Sequence, residues 1–215
     1  MALMTGDFER AAEALAEVGR RFDARGWVLG TSGNLSQVVS RSPFRLAITR
    51  SAASKGQLVP ADILLVDEHG RPAAGDGRPS AETPLHLTIA QTIGAGAVLH
   101  THSVWSTILS DAHAAGGGLT LAGFEMLKGL EGVTTHEHRE WVPILANDQD
   151  LTRLAAGVGA LIAAHREAHG FLLRRHGLYT WGRDLAEATR HVEILEFLLE
   201  VVGRTARLKP GTTTE

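Results

Sequence analysis

The sequence predicts a mixed α/β layer structure with a largely antiparallel central sheet. Long stretches with helical spacing of apolar residues stand at both ends and after Leu151. Many short strand-like runs lie between them. The two kinds of segment do not alternate strictly, as a parallel sheet built from strand–helix–strand units would require.

Phe8, Ala11, Ala12, Leu15, Val18 and Phe22 recur at helical spacing, with Thr5 or Asp7 as candidate caps and Gly26 as the stop. Thr31–Gly33 reads as a turn into a strand over Asn34–Val39. Phe44–Thr49 and Ile63–Asp67 read as two more strands, with the polar loop Ser51–Gln57 between them. Glu68-His69-Gly70 is a turn, and Arg71–Ser80 is a loop rich in Gly and Pro. Pro84 suits the first turn of a helix ending near Ile93, where its missing N–H costs nothing. Ala97–Thr101 reads as a buried strand, followed by a helix from Ser103 to about Asp111. Gly116-Gly117-Gly118 marks a flexible connection, Phe124–Leu130 a short helix and Val133–Thr135 a strand. Leu151–His169 is predicted helical, and Phe171–Arg175 and Leu178–Trp181 are two strands around His176-Gly177. Asp184 caps a last helix running to about Ala206, with Glu187 as its capping-box partner. Residues 1–208 are predicted to form a single domain, and Lys209–Glu215 a disordered tail.

The chain has 215 residues, 11 histidines and no cysteine. That excludes a disulfide framework, a cysteine nucleophile, a thiolate zinc finger and a cysteine-ligated iron–sulfur cluster. Any transition metal must rest on imidazole and carboxylate. The net charge of −3, without a basic stripe, argues against nucleic acid as a partner. Met1–Arg10 carries Asp7 and Glu9 and no apolar run, so no secretory leader is predicted. No apolar stretch approaches ~18 residues, so no membrane span is expected. The expectation is a cytoplasmic enzyme.

His100 and His102 sit two apart at the end of an apolar strand. Alternate strand residues point to one face, so both imidazoles can converge on one ion. The same pair also reads as two hydrogen-bonded polar residues at a strand end. His176, ending a strand far away in sequence, is the candidate third ligand; otherwise it is a buried histidine donating to a carbonyl. His136 and His138 form a second His-x-His but sit among Glu137, Arg139 and Glu140, which reads as solvated surface. His69 reads as a turn residue. His86, His113, His165, His169 and His191 read as helix or loop histidines without a converging partner.

Glu82 precedes a helix start, where the helix dipole favours a carboxylate, and it could instead face a metal. Glu125 stands in the apolar run Phe124-Glu125-Met126-Leu127. Apolar surroundings would raise its pKa toward the range that acid/base catalysis uses, whereas an amphipathic helix would expose it. Thr31-Ser32-Gly33-Asn34, Ser51 and Lys55, and Ser80 offer small hydrogen-bonding groups suited to a phosphate. No glycine-rich nucleotide motif follows a strand and opens a helix.

Four segments occur in one order: Thr31-Ser32-Gly33-Asn34-Leu35-Ser36, Ser80-Ala81-Glu82, His100-Thr101-His102-Ser103 and Arg175-His176-Gly177. Together they resemble the class II aldolase/adducin-head superfamily, from about Phe8 to Ala206. Within it, Phe124-Glu125-Met126-Leu127-Lys128-Gly129 and Trp141-Val142-Pro143-Ile144, with Asn147-Asp148-Gln149-Asp150, are similar to the sugar-phosphate dehydratases of methionine salvage.

The resemblance implies an αβα fold with a mainly antiparallel sheet and one zinc ion per subunit, held by His100, His102 and His176. It implies Glu125 as acid/base and Asn34, Ser51, Lys55 and Ser80 on the substrate phosphate. Thr49–Gly56 departs from the aldolases' Thr-Pro-x-Gly pattern. Glu82 matches the catalytic glutamate of the sugar-phosphate aldolases, whereas some eukaryotic dehydratases place a cysteine there. That leaves Glu82 as a fourth zinc contact or a second acid/base. The implied reaction is dehydration of 5-methylthioribulose 1-phosphate by a homotetramer with active sites near subunit interfaces. The alternatives are a ketose-phosphate aldolase or epimerase, and a non-catalytic adducin-head-like interaction domain.

Overall fold

The computed structural model describes residues 2–208, and side chains for residues 6–206. The tail predicted to be disordered, Lys209–Glu215, lies outside the described residues.

Helix α1 (Ala2–Ala24) begins before both candidate caps, so Asp7 lies inside it and pairs with Arg10 one turn on. Strands β1 (Asn34–Arg41), β2 (Phe44–Thr49), β3 (Ile63–Val66) and β4 (Pro72–Ala74) follow. Then come α2 (Thr83–Ile93), β5 (Ala97–Thr101) and α3 (Val104–Ala112). The chain continues through β6 (Gly118–Ala122), β7 (Arg139–Leu145) and α4 (Leu151–Ala164). It ends with β8 (Gly170–Leu173), β9 (Gly177–Gly182) and α5 (Leu185–Leu208).

These strands form one sheet in the order β4-β3-β2-β1-β5-β9-β8-β7-β6. Every neighbouring pair is antiparallel except β7 with β8. The mainly antiparallel α/β expectation therefore holds. Strand alternation divides the core between two faces. Leu35, Ala97 and Leu99 pack under α1 and the start of α5. Leu172 and Leu178 pack under α3 and the middle of α5. On the opposite face, Val98, Phe171, Leu173 and Tyr179 meet α2 and α4. β5, β9 and β8 are thus covered on both faces. No described helix is long and apolar enough to cross a membrane.

Several local expectations fail for identifiable reasons. Val133–Thr135 is not a strand, because β6 and β7 pair with each other and the segment is the loop joining them. Gly116–Gly118 is not a loose connection, since Gly118 opens β6 and an added Cβ there would meet the Trp141 ring at 2.5 Å. α4 stops at Ala164, with His165 closing its last turn onto Leu161 O. β8 stops at Leu173, because residues 174–176 turn the chain into β9. At the start of α5, Asp184 accepts from Glu187 N–H at 2.8 Å, but the Glu187 carboxylate accepts from Arg183 N–H. The capping box is therefore displaced by one residue.

Candidate active site

β5 is the central strand of the sheet, and its register sets the site. His100 lies opposite Asn34 of β1 on one side and Tyr179 of β9 on the other. All three belong to the sheet face that α2 covers. His102 follows the strand end with the same parity, and its N–H donates to Trp27 O at 2.7 Å. Ser103 then caps α3 by accepting from Ser106 N–H, which fixes where the strand stops.

His176 arrives from the β8–β9 turn. Arg175 takes the left-handed conformation there (φ 56°), and its N–H donates to Ser110 Oγ. Gly177 is required by proximity rather than by its own backbone angle. A Cβ at that position would lie 2.0 Å from Thr101 O. Gly33 combines both demands, with φ 69° and only 2.7 Å between a Cβ and His100 O. Two glycines thus let the turns on either side close against β5.

Glu82 stands at the N-terminus of α2 and completes a four-residue group with His100, His102 and His176. The ligand atoms of the group all lie within 4.8 Å of one another. The Nε2 atoms are separated by 2.8 Å (His100–His102), 3.1 Å (His102–His176) and 3.3 Å (His100–His176). Glu82 oxygens lie 3.5 Å from His100 Nε2 and 3.4 Å from His176 Nε2. Tetrahedral zinc, at roughly 2.0–2.1 Å from each nitrogen, spaces its donors by about 3.3 Å.

The His100 tautomer agrees with a cation. His100 Nδ1 lies 2.9 Å from Leu178 O, which can only accept, so Nδ1 carries the hydrogen and the Nε2 lone pair points inward. Burial holds the His100 pKa well below its ordinary value, lowers His102 to about 4 and lowers His176. Near neutrality all three are uncharged, the form that ligates. Inward lone pairs at these separations repel unless a positive ion lies between them. The donor set therefore fits a divalent metal.

A cleft opens beside this group. Asn34, Ser51, Lys55 and Ser80 all line it, together with Glu82, His102 and His176. Lys55 is 1% exposed, with Nζ donating to Thr31 O and Ala53 O. Burial lowers its pKa to about 8, opposed by the charges of Asp62 and Glu82. Two further lining residues are absent from the sequence expectation. Arg50 brings a guanidinium held on Asp62 at 2.6 Å, and Ala52 adopts a positive φ of 59°. In the sequence Arg50 is only the first residue after a strand, which carries no functional signal by itself.

Glu125 does not join the cleft. It opens the 3-10 turn Glu125–Gly129 with its side chain 71% exposed, and it accepts from Lys128 at 2.7 Å. That ion pair lowers its pKa, so the raised value expected from its apolar neighbours is overturned. Leu127 alone of these neighbours turns fully into the core.

Among the remaining histidines, His69 lies in an exposed turn and His136 is solvated, as expected, whereas others differ. His138 contacts Glu140, which is 1% exposed rather than solvated. His169 pairs with the same carboxylate, and His191 donates to Trp181 O while accepting from Glu131 N–H. His86 is fully buried and bonded through both ring nitrogens, to Ser36 and to Asn34.

The sequence and the fold are similar to those of known proteins. The family described as "Class II Aldolase and Adducin N-terminal domain" matches residues 13–202. The chain is 44% identical over 203 residues to a methylthioribulose-1-phosphate dehydratase of Marinobacter nauticus, covering 94% of this chain and 97% of that one. It is 45% identical over 205 residues to the protein of the same name from Methylococcus capsulatus, covering 94% and 98%. The crystal structure of an L-fuculose-1-phosphate aldolase from Thermus thermophilus superposes with a TM-score of 0.73 at 26% identity, covering 91% and 95%. The chain belongs to the class II aldolase and adducin N-terminal domain family, alongside relatives named methylthioribulose-1-phosphate dehydratase.

Proposed function

We propose that the chain is a zinc-dependent lyase that dehydrates 5-methylthioribulose 1-phosphate to 2,3-diketo-5-methylthiopentyl 1-phosphate, a step of methionine salvage in the cytoplasm. The observation that carries this reading is the three-histidine, one-carboxylate group beside a cleft of phosphate-type donors, in a chain this similar to such dehydratases. The family match over residues 13–202 supports one domain across 1–208.

In this reading His100, His102 and His176 hold the zinc, with Glu82 as a fourth donor. Bound zinc supplies Lewis-acid polarisation of the substrate carbonyl and its neighbouring hydroxyl. Ser51, Lys55 and Ser80 take the phosphate, with Asn34 donating to Ser80 Oγ behind them and Arg50 at the rim adding charge. Those contacts orient the sugar chain without touching the reacting carbons. Glu125 carries the proton transfers. The C3–H bond breaks, its electron pair forms the C3–C4 double bond, and the C4 hydroxyl takes up a proton and leaves as water. The resulting C3 enol takes up a proton at C4 and becomes the diketone.

Glu125 is exposed and outside the cleft of its own chain. We therefore place it in the active site of a neighbouring subunit, within a homotetramer. Apolar side chains exposed on α3 and α5 (Val104, Ile108 and Phe197) and on the same turn (Met126) support such contacts.

The test is to incubate zinc-loaded protein with 5-methylthioribulose 1-phosphate and weigh the product. A product lighter by one water is expected. Carbon–carbon cleavage products would favour the aldolase reading, to which Glu82 in the metal group lends weight. Unchanged substrate would sink the proposal.

A further inference from the structure

His86 lies on the inner face of α2 with no solvent exposure. Its ring meets Tyr179 edge-on at 5.8 Å between centroids, and Tyr179 in turn stacks on His100 at 3.9 Å. Both its nitrogens have polar partners. Nδ1 is 2.7 Å from Ser36 Oγ, and Nε2 contacts Asn34 Oδ1.

Donor and acceptor chemistry assigns the protons along this chain. An amide oxygen only accepts, so His86 Nε2 carries the hydrogen and donates. Nδ1 is then the lone-pair nitrogen and accepts from the Ser36 hydroxyl. Burial lowers the imidazole pKa to about 3, in keeping with a neutral ring. With Oδ1 occupied, the Asn34 NH2 points the other way. It donates to Ser80 Oγ at 3.0 Å and to Glu82 Oε2 at 2.5 Å. The reverse amide orientation would set a carbonyl oxygen against the Glu82 carboxylate and remove the acceptor of the His86 N–H. Each end of the network therefore demands the same polarity, and a fully satisfied buried network fixes one geometry.

We propose that His86 is a positioning residue of the active site: through the Asn34 amide it holds a hydrogen-bond donor on Glu82 and fixes that carboxylate between the metal group and Ser80. The His86 side chain is bonded to Ser36 and Asn34, and only its backbone N–H reaches Glu82, at the main-chain oxygen. Its effect passes through Asn34. The proposal rests on the reading of this site as a sugar-phosphate lyase centre and goes beyond it, because nothing in that reading requires a buried imidazole.

The test compares His86→Phe, His86→Gln and wild type as full-length, zinc-loaded proteins. Phenylalanine keeps the ring volume and the Tyr179 contact but offers no donor. Glutamine places an N–H near the position of Nε2. His86→Phe is expected to bind stoichiometric zinc and keep KM within about threefold, while kcat falls about tenfold or more. His86→Gln is expected to recover most of that kcat. Wild-type kcat retained by His86→Phe, or an equal loss in both variants, would overturn the role. In the wild-type protein, nitrogen NMR of the imidazole should report the Nε2–H tautomer throughout pH 6–8. An Nδ1–H tautomer or an imidazolium would overturn the assignment even if the phenylalanine variant fails to fold. The NMR result does not depend on turnover, so an inactive wild type would count against the lyase reading and not against the placement of His86.

Discussion

The metal group and the Glu125 turn are built on opposite principles. Three sequence-distant segments converge at the end of β5, with His100 buried and Glu82, His102 and His176 partly buried around it. His100 is braced by Leu178 O, Glu82 by Asn34, and Asn34 by His86. Glu125 sits on a one-turn helix in the β6–β7 loop, and its contacts are to Lys128 and His136, both exposed. The first region is complete within one chain. The second carries an exposed carboxylate outside the cleft of its own chain. Under the proposed function, metal binding is then a property of the fold, whereas the proton-transfer half of the reaction belongs to an assembly.

The contrast is most exposed to test at the compact end. Replacing His102 by Ala removes one donor from a set with no spare nitrogen among the described residues. Turnover should fall on the order of 1000-fold, the rate equivalent of several kcal/mol of lost electrostatic stabilisation. Zinc content measured on the purified variant should fall with it. A variant that keeps both its zinc and its rate would remove His102 from the metal site.

A smaller loss is expected at the exposed end. Glu125→Gln should cost roughly 100-fold in turnover, a usual contribution of one acid/base group, with zinc content unchanged. Stability should move by no more than about 0.5 kcal/mol, since the side chain is solvated. Co-assembling Glu125→Gln with His102→Ala then decides between cis and trans. One chain brings an intact metal group and the other an intact Glu125, so mixed oligomers should regain activity that neither homogeneous sample has. Mixed oligomers as inactive as their parents would place Glu125 outside the neighbour's site.

The contrast also explains what the amino-acid sequence makes legible. Strand positions and the His-x-His parity follow from local periodicity, so β1, β2, β5 and the convergence of His100 with His102 can be read directly. β6 cannot, because its strand character comes from pairing with β7 rather than from its own glycine-rich start. His86 has the signature of an ordinary helix residue, because its partners Ser36 and Asn34 lie 50 and 52 residues away. The Glu125 environment is misleading for the converse reason. Apolar sequence neighbours say nothing about burial when a turn directs them apart. Motif order links the distant segments, but it carries no information on which chain each group serves.

The mildest of these effects separates two carboxylates by the sign of their pH dependence. Glu196 of α5 is buried beneath β5, where Thr101 Oγ1 donates to one of its oxygens. Burial pushes its pKa up to about 7, opposed by the hydrogen bonds of Ser103 and Thr101. Its unfolded value is the ordinary 4.5. Between those two values the folded state holds the extra proton, so stability falls as pH rises from about 4.5 to 7 and then levels off. The whole penalty is on the order of 3 kcal/mol at most, because a tenfold change in proton affinity corresponds to about 1.4 kcal/mol and the interior relaxes around the charge. Glu196→Gln keeps an acceptor for Thr101 and cannot ionise. Melting temperatures of the zinc-saturated proteins should therefore nearly coincide at pH 5, with the variant melting several degrees higher at pH 8. Glu125→Gln should show no such gain, since the Lys128 ion pair lowers that carboxylate's pKa instead. If the difference between Glu196→Gln and wild type stayed constant from pH 5 to pH 8, the carboxylate behind the strand that carries His100 would not be the strained group its burial implies.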